Sequence, residues 1–100
     1  MKDYSNLVIY MAYYTPQQHA LLLKLADDRN KLNDTWKEWF EGFIKAKEQL
    51  PGDCEIEDFY VDVEKMDAHF RKNNMLNIGA NRAKYVTEQG MLAHNKRRKF

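Results

Sequence analysis

Ile56-Glu57-Asp58-Phe59-Tyr60-Val61-Asp62-Val63 is the stretch on which the fold turns. Glu57, Phe59, Val61 and Val63 fall two apart, and Asp58, Tyr60 and Asp62 fill the places between. Successive side chains of an extended chain point to opposite faces, so the alternation predicts a strand with one buried face and one wet, acidic face. Its neighbours carry a helical period instead, so this one switch separates an α+β domain from an all-α one.

Downstream, Asp62 is placed to cap a helix running to about Asn73 with Met66 and Phe70 inward. Asn73-Asn74 and Gly79 mark a loop, because Asn and Gly tolerate the left-handed backbone that ends helices. A last helix is expected from Ala80 to Gln89, broken at Gly90, with His94–Phe100 as a tail. Upstream, Trp36, Trp39, Phe40, Phe43, Ile44 and Leu50 recur at intervals of three and four. Thr35 with Glu38 supplies a capping box, and Pro51-Gly52 supplies the stop. Burying each ring is worth about 1.5–3 kcal/mol, which makes this helix the expected organiser of the core. Gly42 inside it costs roughly 1 kcal/mol against alanine and suggests close backbone packing there.

The remaining apolar run, Leu7–Tyr14, is β-branched and aromatic and predicts a second strand. It stops at Thr15-Pro16-Gln17-Gln18, where Thr15 caps, Pro16 suits the first turn and Gln18 can close a capping box. A helix from His19 to about Asn30 follows, with Leu22, Leu25 and Ala26 inward, although Leu21-Leu22-Leu23 also fits a short buried strand. The expectation is a small single α+β domain, mainly helical, with two short strands at about 7–14 and 56–63. An all-α domain is the alternative. A globular unit over 1–94 would precede a basic tail over 95–100.

The chain has 100 residues, 44% of them hydrophobic and thirteen per cent aromatic, which excludes intrinsic disorder. A domain this size buries about 60–65% of its unfolded surface. The single cysteine, Cys54, can form no internal disulfide, and Leu7–Tyr14 lacks the cleavage site of a signal sequence. No run approaches the ~20 apolar residues of a membrane span. A cytoplasmic protein without membrane attachment is expected.

The net charge of +1 hides an uneven distribution. Residues 1–52 balance seven bases against seven acids, 53–67 hold seven acids against Lys65, and 68–100 hold eight bases against Glu88. Asp53, Glu55, Glu57 and Glu64 occupy the first, third, fifth and twelfth places of a calcium loop. That pattern requires glycine where Asp58 stands, so a solvated strand face is the better reading and no metal is assigned. His19, His69 and His94 lie apart, Cys54 has no base nearby in sequence, and the adjacent Asp27 and Asp28 point in different directions. Gly79-Ala80-Asn81-Arg82 at a helix start offers an anion site on a lone glycine. The Trp36–Phe43 ring series suits a core face better than a platform for bases. No catalytic constellation is visible, and neither enzymatic activity nor a cofactor is expected.

Two functions remain. One is a small non-enzymatic interaction protein (an adaptor, regulator or inhibitor) that binds another protein or its own copy. Asp53, Glu55, Glu57, Asp58 and Asp62 would face a basic partner on a strand edge. The alternative is a nucleic-acid-binding module in which Arg71, Lys72, Arg82, Lys84, Lys96, Arg97, Arg98 and Lys99 contact phosphates. The same eight would serve an acidic protein partner. A helix-turn-helix over 64–89 fits this alternative poorly, since its connector is long and Glu64 and Asp67 would face phosphates.

Overall fold

The computed structural model describes residues 8–98. Two strands, β1 (Val8–Tyr13) and β2 (Glu55–Tyr60), pair in parallel, in register from Val8 opposite Glu55 to Tyr13 opposite Tyr60. Parallel neighbours need a long crossover. Here it comprises α1 (Pro16–Leu25), a 3-10 turn over Arg29–Lys31 and α2 (Trp36–Glu48). Two further helices, α3 (Val63–Lys72) and α4 (Gly79–Arg98), complete an α+β domain. Leu7, expected to open the first strand, lies outside the described residues, as do Lys99 and Phe100.

The local signals account for most element ends. The Thr35 hydroxyl accepts from the Glu38 N–H and the Glu38 carboxylate accepts from the Thr35 N–H, closing the capping box of α2. Asp62 accepts from the Lys65 N–H at the start of α3, and Asn74 adopts a left-handed φ of 55° beyond its end. Thr15 caps α1 through the Gln18 N–H, but the Gln18 side chain does not turn back to close a box. Its Oε1 instead accepts the Val63 N–H at 2.7 Å, satisfying an N-terminal donor of α3 from another helix.

Four expectations are corrected. The helix expected to run to Asn30 ends at Leu25, and Ala26 is already extended, which frees Asp27 and Asp28 for partners elsewhere. The core is not centred on α2. Among that helix's rings only Phe43 is buried, while Val63, Met66, Phe70 and Val86 form the most enclosed part of the molecule. The rings of α2 lie against one face of a two-stranded sheet, with Tyr13 at 5.5–6.4 Å from Trp39, Phe40 and Phe43, and so small a sheet covers them only in part. Gly42 meets nothing within 4 Å, so no close packing requires it.

The last correction concerns the C-terminus. Gly90 does not break the last helix, and α4 continues through the expected tail to Arg98. Its glycine is there for space: a Cβ at Gly90 would lie no more than 3.0 Å from three ring atoms of Tyr10 on β1. The missing side chain lets α4 lie on the sheet face opposite α2. No helix among the described residues is long and apolar enough to cross a membrane.

Candidate interaction surfaces

Arg82 does not share an exposed surface with the other described bases of the C-terminal third. Arg82 is only 7% exposed and points inward. Its guanidinium donates to both Asp28 carboxylate oxygens at 2.9 Å, and to the Asn77 carbonyl and side-chain oxygens at 2.9 and 3.0 Å. Such a planar, two-pronged pair is the geometry for which guanidinium suits carboxylate. The Gly79 N–H also donates to Asp28, at 2.9 Å. The anion expected at this helix start is therefore the protein's own carboxylate, seated where the helix dipole favours negative charge.

Arg71 belongs to the same network from its wetter side. It donates to Asp27 at 3.0 Å and to the Leu25 carbonyl at 3.1 Å, and pairs with Asp67 at 3.2 Å. Asn77 joins the two halves: its N–H donates to Asp27 at 2.7 Å and its side-chain amide to Asp67 at 2.9 Å. The Arg82 hydrogen bond, chiefly, holds the Asp28 carboxyl below its ordinary range despite burial. For Asp27 the Asn77 N–H contributes most and Arg71 next, and Arg71 is itself raised by its bond to Asp27. Adjacent Asp27 and Asp28 do point apart, one to Arg71 and the other to Arg82. Together they clamp the end of α1 to α3 and to the start of α4.

Of the other bases, Lys72, Lys84 and Lys96 are exposed. Arg97 and Arg98 belong to the last turn of α4, and Lys99 lies outside the described residues. The helix-turn-helix arrangement also loses its premise, because the start of α4 is tied inward by Arg82 and Gly79.

The acidic block is likewise divided. Asp62 is a helix cap, Asp58 pairs with Lys47 at 2.8 Å, and the Glu57 carboxylate lies 3.5 Å from His94 Nδ1 on α4. Asp53 and Glu55 are exposed where the chain enters β2. The calcium-loop positions are spread over a turn, β2 and α3, and among the described residues no acidic group could hold a metal ion.

β2 is the edge strand that the sequence reading expects of this segment. Among the described residues the sheet has two strands, so β2 has no neighbour on its outer edge. Tyr60 at its end is 68% exposed and leans on Tyr13 at 4.8 Å between centroids. Tyr60 was assigned to the wet face by its spacing, but an exposed ring beside acids on a strand edge is a different object from a solvated face. Comparison with known protein families, curated proteins and solved structures found no match for this chain.

Proposed function

We propose that this is a small non-enzymatic interaction protein of the cytoplasm that binds another protein along the outer edge of β2. The observation that carries the reading is that edge, with exposed Tyr60 at one end and exposed Asp53 and Glu55 at the other. An open edge offers backbone donors and acceptors to an added strand. Acidic side chains repel a second copy of the same edge and favour a basic segment, so they select the partner as well as steer it. Tyr60 supplies the ring that anchors of protein interfaces commonly provide. The burial of Arg82 and the engagement of Arg71 weigh against the nucleic-acid alternative, which would keep Lys72, Lys84 and the basic end of α4.

The test uses the full chain as bait in extract from its source cells, at low and moderate salt, beside a Glu55→Lys/Tyr60→Ala variant of matched melting temperature. A protein retained by the wild type and lost by the variant, more weakly held at moderate salt, is the expected result. Capture that the variant leaves unchanged, or no capture above a bare support, would contradict it.

A further inference from the structure

A second exposed surface lies on α4, a different element from the β2 edge. Gly90 sets α4 against the Tyr10 ring of β1, and Val86, one turn earlier, is buried. A helix turns about 100° per residue, so Leu92, two places beyond Gly90, points away from the sheet. There Met91 and Leu92 are 51% and 54% exposed, two large apolar side chains left half in water.

These two are the middle of a ring of four. Glu88, Met91, Leu92 and Asn95 follow one another at steps of three, one and three, and with Gln89 they line a shallow hollow of about 420 Å³. Four residues so arranged form the hole into which a facing helix inserts one side chain.

The charges beside the hole say which helix that is. Glu88 lies one turn before Leu92 and Lys96 one turn after it, and both are exposed. At a rise of about 1.5 Å per residue, each stands about 6 Å along the axis from Leu92. A second α4 running antiparallel, with its Leu92 seated in the hole, brings its Lys96 level with Glu88 and its Glu88 level with Lys96. A two-fold axis makes both pairs at once, because the same patch serves both copies. A parallel copy would instead set Glu88 against Glu88 and Lys96 against Lys96.

We propose that two copies of the chain associate through this face of α4, antiparallel, with Met91 and Leu92 at the centre and a Glu88–Lys96 pair at either end. One helix face buries less than the ~1,200 Å² of a stable interface, so the dimer is weak, with a Kd on the order of 100 μM. Exposed ion pairs of this kind orient the helices more than they hold them.

Sedimentation equilibrium of the full chain, from about 10 μM to about 1 mM, tests the proposal. The mass should climb toward twice the monomer's as concentration rises. Leu92→Glu, at an exposed position outside the core, should stay monomeric throughout. Glu88→Lys and Lys96→Glu should each weaken the dimer about 5–10-fold, because each turns two attractive pairs into repulsive ones. The double variant Glu88→Lys/Lys96→Glu should recover wild-type association, its pairs merely reversed. Glu55→Lys/Tyr60→Ala should dimerise as the wild type does, which separates this face from the β2 edge. A chain that stays monomeric throughout would overturn the proposal and leave the face to solvent or to another protein's helix. So would a dimer that persists in Leu92→Glu or is lost in Glu55→Lys/Tyr60→Ala, or a double reversal no stronger than either single change.

Discussion

The Arg82 guanidinium is enclosed against the Asp28 carboxylate, with both side chains about nine-tenths covered. Removing one member of a buried pair leaves the other desolvated and unmatched. Arg82→Met should therefore cost about 3–5 kcal/mol in urea unfolding. Arg71→Met should cost less, because Arg71 and Asp27 remain partly in water where ion pairs are weak. The acid side follows from the carboxyls. Asp27 and Asp28 have pKa values held below the ordinary carboxylate value, so below about pH 5 the unfolded chain binds more protons than the folded one. Their contribution is complete near neutrality and is lost as pH falls through about 4 toward their folded values, which urea midpoints between pH 7 and 3 will show. At the other end, burial pushes the Tyr14 hydroxyl up to about 12. That contribution is intact below about pH 10 and lost as the pH rises toward its folded value. Burial raises the Tyr85 hydroxyl as well, so a spectrophotometric base titration should show late tyrosine absorbance of which Tyr14→Phe removes the part that appears last.

At the scale of elements, the two glycines inside helices, Gly42 and Gly90, predict opposite outcomes. Gly42 sits on the exposed side of α2 with open space around it, so Gly42→Ala should stabilise by about 0.5–1 kcal/mol through helix propensity alone. Gly90→Ala gains the same propensity but drives a Cβ into the Tyr10 ring, and should destabilise by about 1–3 kcal/mol. Paired thermal melts check both. The same contrast explains what the chain revealed in advance. Caps at Thr15, Thr35 and Asp62, the turn at Asn74, the alternation of 56–63 and the inward Met66 and Phe70 are local properties, legible from residues a few places apart. The early end of α1 is not local: Asp27 and Asp28 are held by Arg71 and Arg82, 44 and 54 positions away, and no nearby residue announces them. Gly90 has the same difficulty, since its reason is a ring on β1. The position of the core differs from the expectation because ring spacing on α2 reports a buried-type face without reporting how much surface exists to cover it. Of the candidate surface residues, the acids are legible as a strand face, and with two strands expected the edge of β2 is legible as well.

Over the whole molecule, 42 × 30 × 24 Å in extent, the segregated charges are largely put to work inside the fold. The acidic block caps α3 and pairs with Lys47 and His94, leaving Asp53 and Glu55 on the β2 edge. The basic third is split between an interior clamp and the far end of α4. We propose that these charges serve the fold and a protein partner and do not form one phosphate-binding face. Duplex DNA binding across a salt series, with and without residues 95–100, tests it most directly. Eight converging bases would give a log–log slope of about −7, and the four basic residues of 96–99 alone about −3.6. The account predicts weak binding with a slope shallower than about −3.6 that deletion leaves unchanged; a slope of −3.6 or steeper that collapses on deletion would contradict it.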